Sequence, residues 1–176
     1  MLLVGVLFSC ENDVKEIEQY EIERISPDQS IKEVEILYST DGKVMFQLNA
    51  PLLNQYGGEK PYNEMPEGVH VQFFDSTLKV TTDLTANYAI HHTQKEEERM
   101  IAEGNVIVVN EKGEKLNTEE LVWERKTQQI TSEKFVKITT DNQVLMGDGL
   151  IANQDFTNYR ILKPRGELTI ENDQGN

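Results

Sequence analysis

From Val34 onward, apolar residues recur at every second position, and a chain patterned this way can bury them only as strands. In residues 43–50, Val44, Phe46, Leu48 and Ala50 share one face. In residues 68–74, Val69, Val71 and Phe73 do the same. The alternation continues through Leu78, Val80, Thr82, Leu84, Ala86, Tyr88 and Ile90, and again through Met100, Ala102, Gly104, Val106 and Val108. Two is the side-chain period of a strand, and one apolar face per strand means half-buried antiparallel sheet. Turn chemistry separates the runs at Asp41-Gly42, Asp75-Ser76, Asn110 to Gly113, Asp141-Asn142 and Pro164-Arg165-Gly166. Residues 54–68 contain Gly57, Gly58, Pro61 and Pro66 and read as the longest loop, while residues 91–99 read as a polar hairpin connection. No long amphipathic helix is legible after residue 33, so the predicted fold is all-β.

A repeat lies on top of the alternation. Leu48-Asn49-Ala50, Leu84-Thr85-Ala86, Leu116-Asn117-Thr118 and Leu150-Ile151-Ala152 share a leucine and a small residue two positions on. Their leucines are spaced 84 − 48 = 36, 116 − 84 = 32 and 150 − 116 = 34 residues apart. In three units a second apolar residue follows, at Leu53, Ala89 and Leu121. Each unit reads as two strands and their turns. A stack of hairpins with one apolar face each must bury that face against itself, which predicts a jelly roll or a folded-over twisted sheet.

The wording of the third unit is more specific. Residues 102–138 resemble the OstA-like β-jelly-roll repeat: Ala102, Gly104, Asn105 and Val106 match its A-x-G-N-V start. Leu116, Thr118, Leu121 and Trp123 match its next strand, and Ile130 and Ser132 match the one that closes it. Residues 146–156 resemble the G-x-G-hydrophobic-x-A strand late in the same domains, through Gly147, Gly149, Leu150 and Ala152. With its size and its membrane-proximal start, the chain resembles the LptC family of lipopolysaccharide export over residues 34–171. The resemblance implies a non-enzymatic conduit at the periplasmic face of the inner membrane. Such a protein accepts lipopolysaccharide from the permeases of an ABC transporter and hands it to a periplasmic OstA-like bridge protein. The expected groove walls are Phe46, Leu48, Val71, Phe73, Leu84, Tyr88, Val106, Val108, Leu121, Trp123 and Ile138, with Tyr88 and Trp123 at the rim. Sheet edges pair readily with strands of other proteins, so the final strand around Leu168 and Ile170 is the expected docking edge. Arg160, Lys163 and Arg165 form a small basic cluster beside it, facing lipid phosphates, an acidic partner or solvent.

The first ten residues pose a separate question. The apolar run from Leu2 to Phe8 is too short to span a bilayer, which takes roughly 20 residues, and is nearer a signal-peptide core. The positively charged segment that precedes such a core is missing, and the true start is expected upstream. Leu7-Phe8-Ser9-Cys10 resembles a bacterial lipobox, with the sole cysteine at the border between apolar and acidic sequence. Residues 1–9 are therefore expected to be a signal-peptide remnant, 10–33 a lipid anchor and flexible or weakly helical tether, and 34–172 the β-domain. Where better-known LptC proteins use a transmembrane helix, this chain is expected to use a lipid on Cys10.

Other functions fit less well. The chain carries 17 Lys and Arg against 31 Asp and Glu, a net charge of −14, and lacks the basic face a nucleic-acid binder needs. His91 and His92 precede Glu96, Glu97 and Glu98, but adjacent histidines on a strand point to opposite faces and make a poor metal site. No nucleophile elbow, P-loop or dinucleotide fingerprint is present, so neither an enzyme nor a cofactor is expected. The competing reading is a β-rich surface lipoprotein that binds proteins or glycans.

Overall fold

The computed structural model describes residues 26–40, 42–153 and 156–166. They form one antiparallel sheet of twelve strands, with no helix among the described residues. The long strands are β1 (Gln29–Thr40), β2 (Lys43–Tyr56), β7 (Arg99–Asn110), β8 (Lys115–Glu124), β9 (Gln129–Thr139) and β10 (Val144–Asn153). The short ones are β3 (Tyr62–Met65), β4 (Val69–Phe74), β5 (Val80–Ala86), β6 (Tyr88–His92), β11 (Tyr159–Ile161) and β12 (Pro164–Arg165).

The sheet is folded over on itself. One half runs β1–β2–β4–β5–β7–β8–β9–β10–β12, and the other runs β1–β2–β3–β6–β7–β8–β9–β10–β11. The long strands belong to both halves and carry the sheet from one to the other. A crease crosses them where their backbones break step. It runs through Glu33 (φ 51°) in β1, beside Pro51 in β2, through Asn87 between β5 and β6, and through Gly104 and Asn105 (φ 74° and 47°) in β7. It continues at Glu133–Lys134 in β9, where one extra residue stands against each neighbour, and at Gly149 (φ 106°) in β10. Such bulges bend a strand and re-aim its side chains.

The A-x-G-N-V start now has a physical reading. Two consecutive left-handed residues suit glycine and asparagine, which tolerate that conformation best. The Gly104 carbonyl also accepts from Asn87 N at 2.9 Å, and a Cβ on Gly104 would come within 3.3 Å of the Asn87 side chain. The crease in β7 is thus keyed to the crease between β5 and β6. At β8 and β9 two buried hydroxyls serve the same purpose. Thr118 Oγ1 donates to the Phe135 carbonyl at 2.9 Å and lies 3.3 Å from Ser132 Oγ, which accepts from Lys134 N at 3.1 Å. The backbone groups freed by the bulge therefore find partners, as buried polar groups must.

The four leucine-small pairs all sit against this line. Leu48, Ala50, Leu84, Ala86, Leu116, Thr118, Leu150 and Ala152 are all buried. Leu53, Ala89 and Leu121, three residues beyond the small residue, are buried as well. An odd step between two inward residues is impossible on a flat strand, where it would turn the second one outward. The repeat is the signature of strands that change phase as they cross the crease.

Several expectations need correction. The alternation from Leu78 to Ile90 is not one strand: β5 ends at Ala86, β6 starts at Tyr88, and the phase flips between them. Leu78 lies before β5, 63% exposed at the β4–β5 turn. Residues 54–68 are not one loop, because β3 lies inside them and Met65 is among the most buried side chains. Pro164 and Arg165 pair with β10 as β12 instead of turning. The sheet also begins earlier than residue 34: β1 starts at Gln29, inside the stretch read as tether. As an edge strand it is mostly exposed and carries little apolar alternation, so its sequence resembles a linker. Cys10 and most of the tether lie outside the described residues, as do Leu168 and Ile170.

Candidate functional site

Between the two halves of the folded sheet lies a cavity of about 420 Å³. Its walls come from both halves. Phe46 (β2), Val71 and Phe73 (β4) and Leu84 (β5) face Met100 and Ala102 (β7), Leu121 and Trp123 (β8) and Ile130 (β9). Period two places them: Phe46 is two positions from Leu48, Val71 two from Phe73, and Leu121 two from Trp123. Tyr38 stacks on Phe46 with ring centroids 4.8 Å apart, and Phe46 meets Phe73 at 5.7 Å and a 51° tilt. These three rings sit directly across β1, β2 and β4, the arrangement in which cross-strand aromatics interact best.

Polar groups collect at one end. Thr40 and Lys43 flank the β1–β2 turn, and Arg125 and Gln128 come from the β8–β9 turn. All four are exposed, so this end is the mouth. Arg125 is held from behind: its guanidinium pairs with Glu98 and its backbone N donates to the Glu98 carbonyl at 3.2 Å. Glu98's carboxylate holds the Arg125 pKa above its ordinary value.

His91 stands behind Glu98, its Nε2 3.4 Å from Glu98 Oε1. This buried nitrogen has no hydrogen-bond partner. Burial pushes the His91 pKa below its ordinary 6.5, and the Arg125 charge adds to this, while Glu98 opposes it. The folded state therefore keeps His91 neutral where an unfolded chain would already bind a proton. Stability is complete above pH 6.5 and falls as the pH drops below it. The slope is at most about 1.4 kcal/mol per pH unit. Urea unfolding at pH 7.5 and 5.5 should show a steeper acid loss for the native chain than for His91→Gln. Equal losses would mean that His91 does not carry the effect.

The structure divides the eleven expected groove residues into three groups. Phe46, Val71, Phe73, Leu84, Leu121 and Trp123 line the cavity. Leu48, Val106, Val108 and Ile138 are buried core, and Val108 and Ile138 face a second, much smaller cavity of about 30 Å³. Tyr88 lies on the outer face, because the phase flip at Asn87 turns Ala89 inward in its place. Its hydroxyl donates to Glu64 Oε1 at 3.0 Å, and Tyr56 donates to Glu64 Oε2 at 3.1 Å. Burial and that carboxylate push the Tyr88 pKa up to about 12. Sequence reading missed Tyr38, Met100, Ala102, Ile130 and the polar mouth. Met100 and Ala102 were already in the alternating pattern, whereas Tyr38 lies on an edge strand with no clear period. His91 and His92 point to opposite faces, His91 inward to Glu98 and His92 outward beside Tyr62. In the basic cluster, Arg165 pairs with Asp148.

The sheet thus encloses an apolar space between its two halves. The model of the lipopolysaccharide-assembly, LptC-related family matches residues 1–164. The chain belongs to the LptC family. Among curated proteins no significant match was found. Membership makes this chain a component of lipopolysaccharide transport, associated with the periplasmic side of the inner membrane. No helix among the described residues is long and apolar enough to cross a membrane.

Proposed function

We propose that this LptC-family chain is a non-enzymatic conduit. It accepts lipopolysaccharide from the permeases of an inner-membrane ABC transporter, shelters the acyl chains between its sheet halves, and passes the lipid to a periplasmic OstA-like bridge protein. A lipid on Cys10 ties it to the membrane. The observation that carries this reading is the open cavity walled by aliphatic and aromatic side chains from both halves. Acyl chains need such a wall, because keeping each CH₂ from water is worth roughly 0.8 kcal/mol. The sheet also ends in edges suited to strand addition. The outer side of β1 has no partner strand among the described residues and presents Ile31, Ile36 and Leu37, all exposed. At the far side β10 carries only the short β11 and β12, after which the chain continues toward Leu168 and Ile170.

A photo-crosslinking amino acid at Phe46 or Leu84 should capture lipopolysaccharide in cells. The same group at Val106, which is fully buried, should not. Capture at Val106 equal to that at Phe46, or none at either cavity position, contradicts the conduit. Intact mass of the mature protein from the same cells tests the anchor, and an unmodified Cys10 thiol removes it.

A further inference from the structure

We propose that Lys43 and Arg125 form a cationic pair that selects acylated lipids bearing a phosphate on the headgroup. The pair holds the phosphate at the cavity mouth while the chains lie within. The inference rests on the conduit reading and adds to it a direction of entry and a chemical preference. Its first support is placement. The two cations come from turns on opposite halves of the sheet, yet both line the mouth of one apolar cavity. Tyr38 and Thr40 line that cavity together with Arg125 and Gln128, which brings the β1–β2 end and the β8–β9 turn together.

The second support is charge complementarity. In a chain of net charge −14, the mouth carries two cations and no carboxylate among the described residues that line it. Lys43 has no ion pair among the described residues. Arg125 has one, to Glu98, whose side chain is only 13% exposed against 52% for Arg125. Glu98 thus holds Nη1 of the guanidinium from the buried side and leaves about half of the Arg125 side chain exposed. A guanidinium has five N–H donors in a fixed plane, so a carboxylate on one edge still permits two parallel bonds to a phosphate on another. Glu98 is a positioning residue here, because it spares Arg125 the loss of rotamer freedom on binding. Thr40 and Gln128 add neutral donors beside the cations. The occupant is an acylated phosphate and not free phosphate, because the cations stand at the entrance to an apolar space that only chains would fill.

Trp123 is the sole tryptophan and lines the cavity, so its emission reports occupancy. The full chain would be titrated with a dispersed synthetic diacylglucosamine phosphate, with its phosphate-free counterpart, and with inorganic phosphate as competitor. The phosphorylated lipid should bind about 10-fold tighter or more, as expected for charge-assisted hydrogen bonds. Lys43→Gln with Arg125→Gln should bring that preference to about twofold or less, and Lys43→Arg, which keeps the charge, should retain it. Lys43→Gln alone serves as a second test, because it leaves the Glu98 contact untouched and should lose part of the preference. Equal affinity of the native chain for both lipids overturns the proposal while leaving the conduit standing. So does full preference in the double variant. Displacement of the lipid by inorganic phosphate at equal concentration overturns the committed occupant. No change in Trp123 emission with either lipid overturns the conduit itself.

Discussion

Placing tryptophan at both Leu84 and Met100 should abolish lipid binding, weakening it by 100-fold or more, while the domain stays folded. The two residues line the cavity from opposite halves of the sheet, so two indoles would meet across it. The walls enclose about 420 Å³, enough to take both rings without displacing the core, which is where overpacking becomes costly. The measurement is binding of a radiolabelled lipopolysaccharide, set beside the thermal midpoint. Lost binding with a midpoint within a few degrees of the native value is the expected pair of results. Retained binding in a folded double variant would place the acyl chains elsewhere.

The second large effect concerns Gly147. Its neighbours leave no room for a side chain: a Cβ there would collide with Ile161 Cγ2, lie 2.6 Å from the Leu162 carbonyl oxygen and 3.1 Å from that of Lys163. Two of the three are backbone atoms or close to them, and cannot swing aside. Gly147→Val should therefore cost about 3 kcal/mol or more, near the upper end of overpacking penalties. In a chain of this size that lowers the midpoint by roughly 10 °C. Because the segment pushed away carries β11 and β12, hydrogen exchange should rise there first, ahead of β9. Phe135→Ala is the comparison: Phe135 pairs with Asp148 nearby but is 48% exposed, so its loss should cost about 0.5 kcal/mol. A midpoint for Gly147→Val as high as that of Phe135→Ala would show that the close approach is not rigid.

The fold class was legible because alternation and turn residues both follow from local chemistry. The turns at Asp75 and Asn110 show this. Asp75 Oδ1 accepts from Thr77 N at 2.7 Å and Lys79 N at 3.0 Å, and Asn110 Oδ1 accepts from Lys112 N and Glu114 N at 3.0 Å each. These interactions span only a few residues, so sequence alone reveals them. The crease was not legible, since it arises from pairing between strands far apart in sequence. Its trace was nevertheless present in the odd step from Ala86 to Ala89 and from Thr118 to Leu121. Carrying period two straight through Asn87 is what put Tyr88 on the wrong face. Phe46, Val71, Leu121 and Trp123 line the cavity on stretches of strand where period two runs unbroken. The mouth was missed because it is assembled from turn residues of two distant hairpins.

The crease behaves like the spine of a book. The strands cross it and the ladder bonds run parallel to it within each cover, so spreading the covers requires torsion at a few joints and no broken pairs. The bore between the covers is then fixed by how much side-chain volume is wedged along the spine. Here the buried residues beside it in β2, β5 and β8 are Ala50, Ala86 and Thr118, all small. Bulkier residues along that one line would prop the covers apart and widen the channel, with every strand, turn and pairing partner left in place. A channel of this construction is adjustable from its back, far from the surface that touches its cargo.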